Sequence, residues 1–377
     1  MRNNIILYVR ALAIVSLCLL MGSCNTLDED DRPDNGGFSF YFKLPQAISV
    51  ETKAEGSGDV HVGDNDQINI TDAWIVQYVE GNTSLTIIKH YTQEQIVSVN
   101  DYQVRITADS KDFSVEDSHF YIILNGGNTL FGEGETPAED ALKQKTVDFK
   151  TTDIQNLPNI LTCGPVAYKK VSAAADPSVG GDTEEKKVEF VTKVYNPCAK
   201  VSVWVKLNDA NIEKLEVTDL SVTNIPSKIF LFDTKEKPTG YLEKQTIFTG
   251  SQNYTTTTDV DPLKVFYMPE NLQGKGAGTS GSDKNKPDNG PNGSLTNCTY
   301  LTVKGNYYYK GLTQAAMGVE YCFYLGDNNN YNIQRNKHYK LTLNLAGANS
   351  VDWRVKIIDG NVAIFDDVDE SENETEF

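Results

Sequence analysis

The sequence has few of the side chains on which most enzyme and metal sites depend. Among 377 residues there are 4 histidines, none in an HExxH pattern or beside a GxSxG turn. The cysteines show no CxxC or similar ligand spacing, and no glycine-rich loop has the pattern that cradles phosphate. These absences argue against catalysis, a bound cofactor and a metal site.

Basic residues are also in the minority, with 34 Lys and Arg against 52 Asp and Glu and a net charge of −18. Such a chain repels phosphate, so nucleic acid is not an expected partner. Acidic residues are too numerous for one glycosidase pair to stand out. The run from Asp327 to Asn330 lacks the residue order of a calcium loop and predicts a turn. After the first 21 residues, no apolar run is long enough to span a bilayer.

The N-terminus has the pattern of a secretion signal. Arg2 and Arg10 precede or flank an apolar run at 11–21, which is too short for a membrane span. Small residues follow, and then Cys24, so we predict a lipoprotein signal at 1–23, cleavage between Ser23 and Cys24, and a diacylglycerol thioether on Cys24. An ordinary secretory signal that is cut near Ser23 is the alternative. Residues 24–37 are acidic and predict a disordered tether.

Alternation of apolar and polar residues recurs along the rest of the chain and predicts an all-β protein. Short strands separated by Gly, Pro and Asn favour two tandem antiparallel β-sandwiches, at 38–208 and 209–365, with an acidic tail at 366–377. Short helices are expected only at 137–145 and 208–214, and a long mobile loop at 273–297. The predicted strands are 38–44, 70–79, 85–90, 120–124, 188–194, 199–207, 228–232, 263–268, 298–305, 319–325, 339–345 and 351–357.

Four cysteines remain after Cys18 leaves with the leader and Cys24 is lipidated, namely Cys163, Cys198, Cys298 and Cys322. Their state stays open, because an exported protein permits a disulfide but the sequence cannot pair them. Small buried thiols are the simpler expectation.

Several spaced segments resemble the fimbrillins, the type V pilus subunits of Bacteroides-type bacteria. The lipoprotein leader is followed by an apolar strand at 38–44 and a basic-residue loop at 52–56. The segment 161–164 is similar to the family's "TG" element, 196–207 to its last N-domain strand, and 266–271 to its "Y-x-PEN" motif. The best match is 321–347, whose Arg335-Asn336-Lys337-His338-Tyr339 resembles the "RN-x-HY" signature before an alternating strand. The resemblance covers nearly the whole chain.

The resemblance implies transthyretin-like sandwiches and assembly by strand exchange into a fimbria on the cell surface. The precursor would be lipid-anchored on the outer membrane, and a trypsin-like protease would cut between Lys53 and Ala54; Arg32 is the rival site but precedes a proline. The cut would displace the first strand, with Phe38, Phe40, Phe42 and Leu44, and other fimbrial subunits would be the partners.

The donor strand of the next subunit would carry Val351, Trp353, Val355 and Ile357, with 362–365 as the alternative segment. A stalk position is slightly favoured over a tip or accessory position, because the chain after 345 is long enough to supply a donor. The rival interpretation is a surface lipoprotein that binds a ligand such as a glycan and never polymerises.

Overall fold

The computed structural model describes residues 37–44, 58–59, 69–81, 85–100, 102–109, 111–170, 188–207, 209–256, 261–279, 284–312, 315, 317–326, 329–345 and 355–360. Its strands in the first half are β1 Gly37–Lys43, β2 Gly58–Asp59, β3 Asp72–Val79, β4 Thr86–Thr92, β5 Ile96–Asn100, β6 Gln103–Asp109, β7 Ser118–Leu124, β8 Thr146–Asp148, β9 Leu161–Tyr168 and β10 Val188–Lys193. Those in the second half are β11 Cys198–Leu207, β12 Ile212–Thr223, β13 Lys228–Phe230, β14 Gln245–Tyr254, β15 Lys264–Pro269, β16 Tyr300–Tyr309, β17 Met317–Tyr324, β18 Lys337–Leu345 and β19 Val355–Gly360. The described helices are short: α1, Glu139–Lys143, and 3-10 turns at Gln93–Gln95, Thr151–Ile154 and Pro291–Gly293.

The first sandwich consists of two four-stranded sheets, in the orders β10-β1-β6-β5 and β4-β3-β7-β9. Apolar residues alternate along β1 and β6, so each strand turns one face to the space between the sheets. Phe38, Phe120 and Phe190 belong to the core that fills this space. The prediction of an all-β sandwich is confirmed.

The strands β3 and β7 are buried on both faces, which explains why 120–124 reads as a continuous apolar run. One face contributes Ile75 and Phe120 to the first core. The other contributes Trp74 and Tyr121 to a larger core that continues into the second sandwich. The Tyr121 and Phe232 rings meet edge to face, with ring centroids 4.9 Å apart.

The second sandwich has sheets in the orders β15-β11-β18-β2 and β14-β12-β16-β17-β19. Here the structure differs from our expectation that 199–207 ends the first sandwich. The strand β11 pairs with β15 and, in parallel, with β18. Its residues Val201, Val203 and Val205 are buried in the larger core. The change of sandwich therefore lies before Cys198, because both strands that pair with β11 belong to the second sandwich.

Two segments contradict local expectations. The helix expected at 208–214 is wrong: Ile212 begins the twelve-residue strand β12, whose buried Leu215 and Val217 alternate with more exposed residues. The loop at 273–297 is packed in part, since its described residues include the buried side chains of Gln273, Lys284, Asn285 and Asn289. Asn289 is only 4% exposed, and its amide donates to the Tyr331 hydroxyl over 2.8 Å. Buried amide and hydroxyl groups form hydrogen bonds with one another in this loop. A hydropathy pattern detects buried apolar residues and does not predict burial of such polar groups.

Candidate functional site

The predicted first strand, β1, is an interior strand of its sheet. It runs parallel to β10 and antiparallel to β6, and six or seven consecutive residues pair on each side. Its backbone donors and acceptors therefore belong to two ladders. Removal of β1 would leave two unpaired strand edges facing each other across the width of one strand.

The inner face of β1 is almost entirely aromatic. Phe38, Phe40 and Phe42 are 0–1% exposed, and the partly buried Leu44 packs against the same core. The Phe40 ring is stacked on Phe190 at 5.0 Å between centroids. Burial of side chains of this size contributes about 1.5–3 kcal/mol each. We call the space that β1 occupies between β10 and β6 the slot. The positions of these four side chains are its inner sites.

The rings that line the slot were not singled out by sequence reasoning. Phe113 and Phe120 approach the Phe40 ring to 5.4 and 5.6 Å between centroids. Phe120 and Phe190 are also 4.8 Å apart. The apolar run at 120–124 and the alternation within 188–194 contain Phe120 and Phe190, but neither pattern says which side chains meet, and Phe113 lies in neither segment.

The outer face of β1 carries Ser39, Tyr41 and Lys43, of which only Lys43 is exposed. Charged residues of the neighbouring strands lie beside them in the ladder register. Glu189 is opposite Ser39, and Lys193 is opposite Lys43. On the other side, Arg105 is opposite Tyr41. The outer face of β1 is therefore flanked by one negative residue, Glu189, and two positive residues, Arg105 and Lys193.

The predicted donor strand is described in part. β19 is the edge strand beside β17, with Val355 opposite Tyr321 and Ile357 opposite Val319. Val351 and Trp353 lie outside the described residues. The pairing shows that this segment can complete its own sheet, and a donor role requires it to leave that edge.

The predicted processing sites Ser23, Cys24, Lys53 and Ala54 lie outside the described residues. The strands on either side of Lys53 belong to different sandwiches. β1 lies in the first, whereas β2 pairs with Lys337 and His338 at the start of β18 in the second. The segment that contains Lys53 therefore connects the two.

The motif residues near Arg335 form a contact between the two sandwiches, which we call the joint and which consists of Arg335, Glu270, Leu231 and Thr162. The Arg335 guanidinium donates from Nε to Oε2 of Glu270 over 3.1 Å, and its Nη2 lies 3.1 Å from the same oxygen as an ion pair. Its Nη1 also donates to the Leu231 carbonyl over 3.3 Å. Thr162 donates from its hydroxyl to the same carbonyl over 2.7 Å, from the first sandwich. The motifs thus converge on one turn where the sandwiches meet.

His338 and His90 each contact a neighbouring side chain. Nε2 of His338 lies 2.8 Å from the Ser202 hydroxyl across the β11–β18 ladder. His90 is stacked on Trp74, with ring centroids 4.1 Å apart. Over the described part of the chain, no group of three or more His, Cys, Asp or Glu side chains could hold a metal ion. In the same residues, no helix has the length and apolarity needed to cross a membrane.

The four later cysteines are thiols in the structure, and burial raises the pKa of each. It raises the pKa of Cys298 and Cys322 to about 12. At pH 8, only about one such thiol in ten thousand is the reactive thiolate. We therefore expect native chain beginning at Asn25 to resist iodoacetamide, and the urea-unfolded chain to gain four adducts by mass spectrometry. Rapid labelling of the native chain, or fewer than four adducts after unfolding, would contradict this.

Comparisons with known proteins bear on the fold. A family model described as a domain of unknown function (DUF4906) matches residues 266–343. A comparison with curated protein sequences finds no match. Among solved structures, a candidate cell adhesion protein from Parabacteroides distasonis aligns with a TM-score of 0.55 and 13% identity, over 84% of this chain and 90% of that one. The chain shares that fold.

Two further solved structures align less closely. The tip fimbrial protein Mfa3 from Porphyromonas gingivalis gives a TM-score of 0.46 at 11% identity, over 85% of this chain and 97% of that one. A candidate cell adhesion protein from Bacteroides eggerthii gives 0.47 at 14% identity, over 84% and 88%.

Proposed function

We propose that this chain is a structural subunit of a cell-surface fimbria, activated by the removal of its first strand. The observation that carries the proposal is the position of β1, an interior strand whose three phenylalanines fill the first core. An interior strand that a nearby cut can detach leaves an apolar slot with two unpaired edges. Such a slot is a template for an added strand.

The strand that enters comes from the C-terminal segment of a neighbouring subunit. Val351, Trp353, Val355 and Ile357 alternate as β1 does and match its four inner sites in number. Their burial would contribute on the order of 6–12 kcal/mol before ordering costs. The contact joins different surfaces of two copies, so it can be repeated from subunit to subunit and extends a filament wherever the rotation between subunits does not close a ring. The 32 residues after Leu345 give the length needed, which favours a stalk position.

Delivery to the surface uses the lipid on Cys24. The anchor and β1 lie on the same side of Lys53 in the sequence, so one cut there removes both. The lipid thus holds the precursor at the outer membrane only until a trypsin-like protease acts. Other fimbrial subunits are the partners, and no catalytic step is assigned to the chain.

The test is limited proteolysis of the precursor that begins at Asn25. Trypsin should yield a new N-terminus at Ala54 and then SDS-resistant ladders, and Lys53→Gln should prevent both. A chain that is cut at Lys53 but stays monomeric with its C-terminus intact would overturn the proposal. Glycan binding by the uncut monomer, without assembly, would favour the ligand-binding alternative.

A further inference from the structure

The slot has a charge pattern that distinguishes the two directions in which a strand could enter. We propose that the 351–357 segment of a second copy enters antiparallel to the direction of β1, and that Glu189 and Lys193 set this direction. The inference rests on the proposed function, because it concerns the strand that replaces β1.

The charges along the slot follow a fixed order. In the direction of β1, Glu189 comes first, Arg105 second and Lys193 third, beside the positions of Ser39, Tyr41 and Lys43. Glu189 and Lys193 are exposed. Among the described residues, none of the three takes part in an ion pair, so their charges are available to an incoming strand.

The donor segment has charges in the same order. Asp352, Arg354 and Lys356 alternate with its four apolar residues. Suppose that the apolar residues fill all four inner sites in the direction of β1. Asp352 then lies beside Glu189, Arg354 beside Arg105 and Lys356 beside Lys193. All three neighbours have like charges, which destabilises adjacent strands.

Entry in the opposite direction turns two of these three like-charge contacts into opposite-charge contacts. Lys356 then lies beside Glu189, and Asp352 beside Lys193, while Arg354 still faces Arg105. The backbone allows this, since strands pair in either direction and the entering strand would become antiparallel to β10. A slip by two residues in either direction leaves one of the four apolar sites unfilled. The four-site register in the reverse direction therefore combines complete apolar filling with two opposite-charge contacts and one like-charge contact, against three like-charge contacts in the direction of β1.

Paired cysteines distinguish the directions in the assembled filament. Asp352→Cys with Lys193→Cys reports the reverse direction, and Asp352→Cys with Glu189→Cys reports the direction of β1. Adjacent-strand Cα separations suit a disulfide in both designs. After mild oxidation, denatured non-reducing gels should show covalent ladders for the first pair only. Each single-cysteine variant is the background control for the native thiols.

A charge exchange gives a second readout whose sign depends on the direction. In a Lys43→Ala background, which prevents β1 from gaining an ion pair at position 193, Glu189→Lys with Lys193→Glu should slow assembly about tenfold if entry is reversed, and should accelerate it if entry follows β1. Adding Asp352→Lys with Lys356→Asp should restore the rate. The matched control is Lys206→Glu with Glu213→Lys, two exposed positions on strands of the second sandwich, which should leave the rate unchanged.

Each outcome decides between the possibilities. Ladders from the second pair, or faster assembly after the charge exchange, overturn the inferred direction while leaving strand exchange intact. Filaments that crosslink with neither pair overturn the assignment of this register. Cut chains that never assemble, including those with native cysteines only, overturn the proposed function itself.

Discussion

Replacement of Phe40 by alanine is expected to destabilise the precursor by about 3–5 kcal/mol, the usual cost of removing a buried phenylalanine ring. The ring is 1% exposed and contacts Phe113, Phe120 and Phe190, with centroids 5.0–5.6 Å away. These neighbours belong to different strands and a loop, so the cavity cannot close without moving both sheets. Urea unfolding of the precursor that begins at Asn25 measures the change.

Lys43→Ala is the matched control, since Lys43 is an exposed residue of the same strand. It should change stability by no more than about 0.5 kcal/mol. A loss below about 1.5 kcal/mol for Phe40→Ala would show that β1 contributes little to the first core. After cleavage, the N-terminal fragment that carries β1 with Phe40→Ala should bind the slot more than about a hundredfold more weakly, because 3 kcal/mol corresponds to that factor in the dissociation constant. Its assembly should therefore begin earlier.

Alternation predicted the strands that turn a single face to a core. The pattern Phe38, Phe40, Phe42 led directly to β1, and the alternation at 339–345 led to β18. The sequence prediction failed where a segment of polar composition has one face buried by strands that are distant in the sequence. β12 begins in a segment with helix-forming residues, yet Leu215 and Val217 bury against the second core.

The candidate site could be predicted only in its parts. The sequence identified the strand that fills the slot, but not that β1 lies between β10 and β6. Strand order depends on long-range pairing, and a periodic pattern is silent about partners. The same limit explains the assignment of 199–207 to the wrong sandwich. Glu189, Arg105 and Lys193 are ordinary surface residues in the sequence, and only the register brings them to the slot.

The second large effect is expected at the joint between the sandwiches. Arg335→Ala should cost about 2–4 kcal/mol, somewhat less than the loss of a completely buried partner, because Arg335 and Glu270 are 16% and 14% exposed. The variant loses two contacts to the Glu270 carboxylate and one to the Leu231 carbonyl. It leaves a largely buried carboxylate with only the Arg335 backbone N–H as its described donor. Denaturant unfolding measures the loss.

A double-mutant cycle separates the ion pair from the rest of the joint. Glu270→Ala in the Arg335→Ala background should add little, because the second change removes the carboxylate that the first leaves without its guanidinium partner. Arg335→Lys should fall between the wild-type chain and Arg335→Ala, since lysine keeps the charge but lacks the planar fork that reaches Glu270 and Leu231 together. Strict additivity of the two alanine changes would show that the pair is not coupled. In that case the joint would depend on Thr162 and the apolar contact of Tyr121 with Phe232.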